Sequence, residues 1–134
     1  MTGSRSDAAR ALTGRGFTLI ELLVVMTIIG TLLTIAVPRY FHTVARARET
    51  VLRHDLVVIR EAIDKYCADL GQYPDTLAVL VEKQYVRSVP IDPFTKSADT
   101  WTLVASTDPD RAGVRDLHSG AADVASDGTP VASW

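Results

Sequence analysis

The chain has 134 residues, of which 47% are apolar and 22% charged, the ordinary range of a globular protein and one domain's worth of sequence. A net charge of −2 gives no general attraction to nucleic acid. The single cysteine, Cys67, excludes an intrachain disulfide and reads as a small buried hydrophobe beside an apolar helix stripe.

Residues 1–16, MTGSRSDAARALTGRG, are small and basic, with Arg5, Arg10 and Arg15 against Asp7, and show no apolar face. The segment is expected to be a processed leader. The run from Phe17 to Val37 is 21 residues long and carries one charge, Glu21. As a helix it spans roughly 30 Å, the thickness of a bilayer core. A basic start before an apolar run fits the cytoplasmic side of a membrane. An ordinary secretory signal has a shorter apolar region and a small-x-small cleavage site. A plain signal anchor is the other simple alternative.

Pro38 ends the uncharged run and is expected to kink the helix, because proline removes an N–H and crowds the preceding turn. Beyond it Leu52, Leu56, Ile59, Ile63, Tyr66 and Leu70 recur at intervals of 4, 3, 4, 3 and 4, one face of an amphipathic helix. Arg46, Arg53, Arg60, Asp64 and Lys65 fall on the opposite side. Gly71 is a C-terminal stop. One helix from about Phe17 to Leu70 is expected, its first half suited to lipid and its second to a water-facing domain.

Tyr73-Pro74-Asp75 reads as a turn, and Asp75 or Thr76 as the cap of a short helix through Glu82 with Leu77, Leu80 and Val81 inward. Val89-Pro90-Ile91-Asp92-Pro93 is a rigid extended segment. Strands are expected at Trp101–Ala105 and Val114–Ser119, joined by the loop Asp108–Gly113. The end, rich in Gly, Ala, Ser and Asp, reads as loop. Two or three strands are not stable alone and need the stripe Leu52–Leu70 to cover them. The fold class is therefore α+β, a long kinked N-terminal helix packed on a small antiparallel sheet.

Arg15-Gly16-Phe17-Thr18-Leu19-Ile20-Glu21 resembles the prepilin cleavage and methylation motif of type IV pilins and type II secretion pseudopilins. The similarity continues through Leu22, Leu23, Val24 and Val25 and includes Gly30 and Pro38. The resemblance implies a type IV pilin-like fold, cleavage between Gly16 and Phe17 by a prepilin peptidase, and N-methylation of Phe17 by the same enzyme. It also implies that Glu21 pairs with the new amine on Phe17 of a neighbouring subunit and sets the register of assembly. An isolated charge at bilayer depth costs about 2.5 to 3.5 kcal/mol, so such a pair relieves both groups. A carboxylate snorkelling to the membrane surface without a partner is the simpler alternative. In the family the stretch between Gly30 and Pro38 loses helicity in the fibre. Glycine and proline cost about 1 and 3 kcal/mol in a helix interior, so the stretch is weak, or else merely kinked. Thr27, Thr31 and Thr34 are placed to bond back to helix carbonyls.

Tyr73-Pro74, Pro90-x-Asp92-Pro93, and Asp116-Leu117-His118-Ser119 with Gly120, Asp123 and Trp134 resemble the G-type major pseudopilin of type II secretion. This branch binds calcium in its C-terminal loop, and the resemblance makes Asp123 and Asp127 its candidate ligands. Two turn-forming aspartates in a solvated loop are the alternative. The chain departs from that branch after Asp92-Pro93, where Phe94–Trp101 replaces an aromatic-rich run, and its C-terminal loop is short. No organic cofactor is expected.

No enzyme is indicated. Neighbouring strand residues face opposite ways, so His118 and Ser119 do not form a triad with Asp116, and no phosphate loop, nucleophile elbow or zinc spacing is present. The expected organisation is a leader over 1–16, a transmembrane and filament-core helix over 17–38, and a periplasmic domain over 39–134. The implied partners are further copies of the chain, minor pseudopilins, the prepilin peptidase and an inner-membrane assembly platform. The implied role is a structural subunit of an inner-membrane-assembled pseudopilus for protein export; a minor type IV pilin for adhesion or DNA uptake is the alternative.

Overall fold

The computed structural model describes Gly3 and residues 14–134; the leader expected over 1–16 lies largely outside the described residues. Helix α1 (Leu19–Leu70, 52 residues) is followed by α2 (Leu77–Glu82), β1 (Thr102–Ala105), β2 (Val114–His118) and a single 3-10 turn at Val131–Ser133. Two units are distinguished, one ending at Pro38 and one spanning Arg39–Trp134.

In the first unit every described residue is exposed. Its helical run contains an 18-residue window of mean hydropathy 2.4, so α1 is long and apolar enough to cross a membrane. Three hydroxyls that would be costly in lipid are satisfied within the helix. Thr27, Thr31 and Thr34 each donate to the carbonyl four residues earlier, at 2.8 Å. Helix α1 continues through Pro38.

The second unit is built on the other half of α1. Leu52, Leu56, Ile59, Ala62, Ile63 and Cys67 are its buried residues. All of these but Cys67 form one core with Leu77 and Leu80 of α2, Trp101, Val114 and Leu117 of β2, and Ala121, Ala125 and Val131 of the C-terminal segment. Cys67 is buried, as expected. Leu70, the last member of the expected stripe, is 52% exposed. The apolar face therefore closes one turn early, on Cys67. Gly71, at φ 72°, ends the helix, and its N–H reaches the Cys67 carbonyl at 2.8 Å. Thr76 holds the N-cap position of α2 without a side-chain cap bond.

β1 and β2 pair antiparallel, with Leu103 opposite Leu117 and Val104 opposite Asp116, and an irregularity between Val104 and Ala105. The sheet has two strands. Only β2 turns residues fully into the core; β1 is largely exposed. Trp101, just ahead of β1 rather than in it, carries that side of the core and donates its indole N–H to the Pro90 carbonyl at 3.0 Å. The loop before β2 passes so close to the Tyr73-Pro74 turn that a Cβ on Gly113, at φ 122°, would stand 2.5 Å from the Tyr73 carbonyl oxygen. This is the α+β arrangement the periodicities predict, with the amphipathic half of α1 covering a sheet too small to stand alone.

Candidate processing and assembly motif

Two sets of residues carry the functional expectations, one at the start of α1 and one in the C-terminal segment. At the start of α1, Gly16 donates its N–H to the Gly14 carbonyl at 3.0 Å, and Phe17 is 93% exposed. Among the described residues, apart from the adjoining residues and the helix's own backbone, no atom lies within 4 Å of the position a Cβ on Gly16 or Gly30 would occupy. Neither residue is at positive φ. Among the described residues no packing contact calls for glycine at either place.

Glu21 makes a contact that the sequence reading missed. The Thr18 N–H donates to Glu21 Oε2 at 3.1 Å, and the Glu21 N–H donates to Thr18 Oγ1 at 3.3 Å. This is a reciprocal capping box, in which the cap residue and the third helical residue each satisfy the other's free N–H. The signal was present as Thr18-Leu19-Ile20-Glu21, a Thr-x-x-Glu just before an apolar run. Glu21 also places its charge near the positive end of the helix dipole. In the single chain the carboxylate is thus held by its own helix.

The C-terminal segment brings together Asp116, His118 and Ser119 in sequence but not in partnership. Asp116 Oδ1 accepts the Arg60 Nε–H at 2.8 Å. His118 Nδ1 lies 2.5 Å from the Trp134 carbonyl oxygen. The Ser119 hydroxyl donates to Asp92, a fully buried residue whose other carboxyl oxygen accepts the Phe94 N–H at 2.8 Å. Burial alone would raise the Asp116 carboxyl, but the Leu117 N–H and the Arg60 guanidinium outweigh it and hold it below the usual carboxylate range.

Of the two candidate calcium ligands, Asp127 is engaged by its own chain. Asp127 Oδ1 accepts both the Thr129 hydroxyl, at 2.6 Å, and the Thr129 N–H, at 2.9 Å, while Oδ2 lies 3.8 Å from an Arg53 nitrogen. The Thr129 hydroxyl above all keeps this carboxyl below its ordinary range. Among the described residues no three His, Cys, Asp or Glu side chains are grouped to hold a metal ion. Calcium takes six to eight oxygens and favours sites rich in carboxylate. A carboxylate already engaged by two Thr129 donors and faced by a guanidinium does not suit it.

Residues 14–37 match the family described as "Prokaryotic N-terminal methylation motif". The type II secretion system core protein G of Pseudomonas aeruginosa is 33% identical over 124 residues, covering 81% of this chain and 83% of that protein. Its counterpart in Escherichia coli is 32% identical over 125 residues, covering 81% and 82%. The fimbrial protein EcpC of Eikenella corrodens is 38% identical over 80 residues, covering 56% of this chain and 52% of that protein. No solved structure is a significant match. With the methylation motif at the head of an exposed apolar helix and core-protein-G similarity running into the folded domain behind it, the chain belongs to the type II secretion core protein G family.

Proposed function

We infer that the protein is a structural subunit of a pseudopilus that drives protein export. In this reading the leader is cut between Gly16 and Phe17 and the new amine of Phe17 is methylated. The helix from Phe17 to Pro38 anchors the subunit in the inner membrane, with residues 39–134 in the periplasm. Copies then polymerise through the same helix, with minor pseudopilins and a membrane assembly platform as partners.

The observation that carries the reading is the helical run after Phe17. It is wholly exposed in the single chain, uncharged apart from Glu21, and long enough for a bilayer. Such a surface has to be covered, first by lipid and then by other copies of itself. The bare Cβ positions at Gly16 and Gly30 support the same reading, since both leave room for close approach by another molecule. Similarity to core protein G favours the export branch over the fimbrial one, because it covers 81% of the chain against 56%.

The test is mass spectrometry of the N-terminus of the membrane-associated protein, with and without prepilin peptidase. A chain beginning at N-methylated Phe17, only when the peptidase is present, is the expected result. An intact leader, or a cut near Pro38, would replace this reading with a plain membrane anchor.

A further inference from the structure

Residues 119–134 form a segment with little apolar mass of its own. Ala121, Ala125 and Val131 are its buried apolar members. Something other than hydrophobic burial has to fasten it. Glu49, Arg53 and Arg60 are spaced by 4 and 7 residues and share one face of α1. All three reach the C-terminal segment or the strand leading into it.

Glu49 grips the loop tip with both oxygens, accepting the Ser126 N–H at 2.6 Å and the Ser126 hydroxyl at 2.8 Å. Arg53 lies with its guanidinium carbon 3.9 Å from the centroid of the Trp134 ring, and the same group faces Asp127. Arg60 donates to Asp116 at 2.8 Å, to the Leu117 carbonyl at 3.0 Å and to the Trp134 carbonyl at 2.8 Å. Trp134 is tied in turn to the loop, its indole N–H reaching Thr129 Oγ1 at 3.0 Å.

We propose that α1 supplies from its own side chains the positive charge that fastens the C-terminal segment, with Arg53 bridging Asp127 and Trp134, and that the segment keeps its order with no divalent metal bound. Arg53 presents a positive charge where Asp127 offers its second oxygen. A guanidinium is suited to this double task, because its plane stacks on an indole while its charge faces a carboxylate. Glu49 and Arg60 hold the two ends, so Arg53 closes a clamp already positioned by backbone contacts.

The test is hydrogen exchange of the full chain in detergent micelles, read on peptides from 119–134 and, as an internal control, from 52–63. Wild type is compared with EDTA and with calcium at about 5 mM, enough to fill even the weak extracellular class of site. Arg53→Met is then compared with wild type. We expect exchange in 119–134 to be the same with calcium and with EDTA. We expect Arg53→Met to raise it about fivefold, the loss of one exposed ion pair and one cation–π contact, while 52–63 stays protected. Slower wild-type exchange in calcium, reversed by EDTA, would overturn the proposal. So would an Arg53→Met variant whose C-terminal segment exchanges like wild type. Should that variant lose protection in 52–63 as well, Glu49→Ala decides by the same readout: faster exchange around Ser126 supports the clamp, and no change overturns it.

Discussion

Asp92 and Ser119 lie 27 positions apart in the chain and meet in the core, the serine hydroxyl donating to the aspartate carboxyl. Asp92 is fully buried and Ser119 is 1% exposed. The contact joins the rigid Pro90–Pro93 segment to the end of β2, two stretches with no other regular structure between them than β1. Ser119 also accepts the Ala121 N–H at 3.2 Å, so one hydroxyl sets the start of the C-terminal segment.

Removing that hydroxyl leaves a buried carboxyl oxygen without its donor. Ser119→Ala is expected to cost about 2 kcal/mol and to lower the melting temperature by several degrees. Near-ultraviolet circular dichroism of Trp101 during thermal unfolding reads it. A change below about 0.5 kcal/mol would mean that water replaces the serine at that oxygen.

The early closing of the helix stripe makes a second prediction. Leu56 is 2% exposed and Leu70 is 52% exposed, although both lie on the stripe read from the sequence. Leu56→Ala should cost roughly 2 to 5 kcal/mol through lost burial and a residual cavity. Leu70→Ala should cost less than about 1 kcal/mol. Comparable losses at the two positions would show that Leu70 is covered in the folded protein.

The Arg60–Asp116 pair sets a pH dependence. The folded protein holds the Asp116 carboxyl below its ordinary value, so the unfolded chain binds its proton more readily. The stabilisation is therefore present above the unfolded carboxyl value, about 4, and is lost as pH falls through the lower folded value. Asp116→Asn, which does not titrate, should melt below wild type at pH 7 and approach it below about pH 4. A gap that stays constant from pH 7 to pH 3 would remove Asp116 from the acid response.

Glu21 has two separable jobs, capping its own helix through Thr18 and, in the proposed fibre, carrying a charge to a neighbour. Glutamine keeps the capping geometry and loses the charge. Glu21→Gln and Glu21→Ala are both expected to be cleaved and methylated normally, and both to assemble poorly. Filament yield by electron microscopy and N-terminal mass spectrometry check this together. Normal filaments from Glu21→Gln alone would assign the residue to capping, and normal filaments from both would end the pairing idea.

Much of the architecture was legible because it is periodic. Intervals of 3 and 4 marked the amphipathic half of α1, and an uncharged run marked the other half. Both follow from helix geometry acting on neighbours a few residues apart. The bounds of α2, β1 and β2 were close for the same reason, although Trp101 and Ser119 fell just outside the strands. The methylation motif is also local, and the family match over residues 14–37 rests on it. The capping box was equally local and was overlooked.

What the sequence alone determined is therefore what short-range order dictates: a membrane-length apolar helix, a methylation motif at its head, and an amphipathic continuation able to cover a small sheet. The tertiary structure decided the partners of polar groups far apart in sequence. It joined Asp92 to Ser119, and it set Arg60, read as a solvent-facing residue, against Asp116 and the Trp134 carbonyl. It set Asp127 against Thr129 and Arg53. Charge and hydrogen-bonding capacity are written in the sequence, but which donor meets which acceptor depends on chain crossings that no spacing encodes.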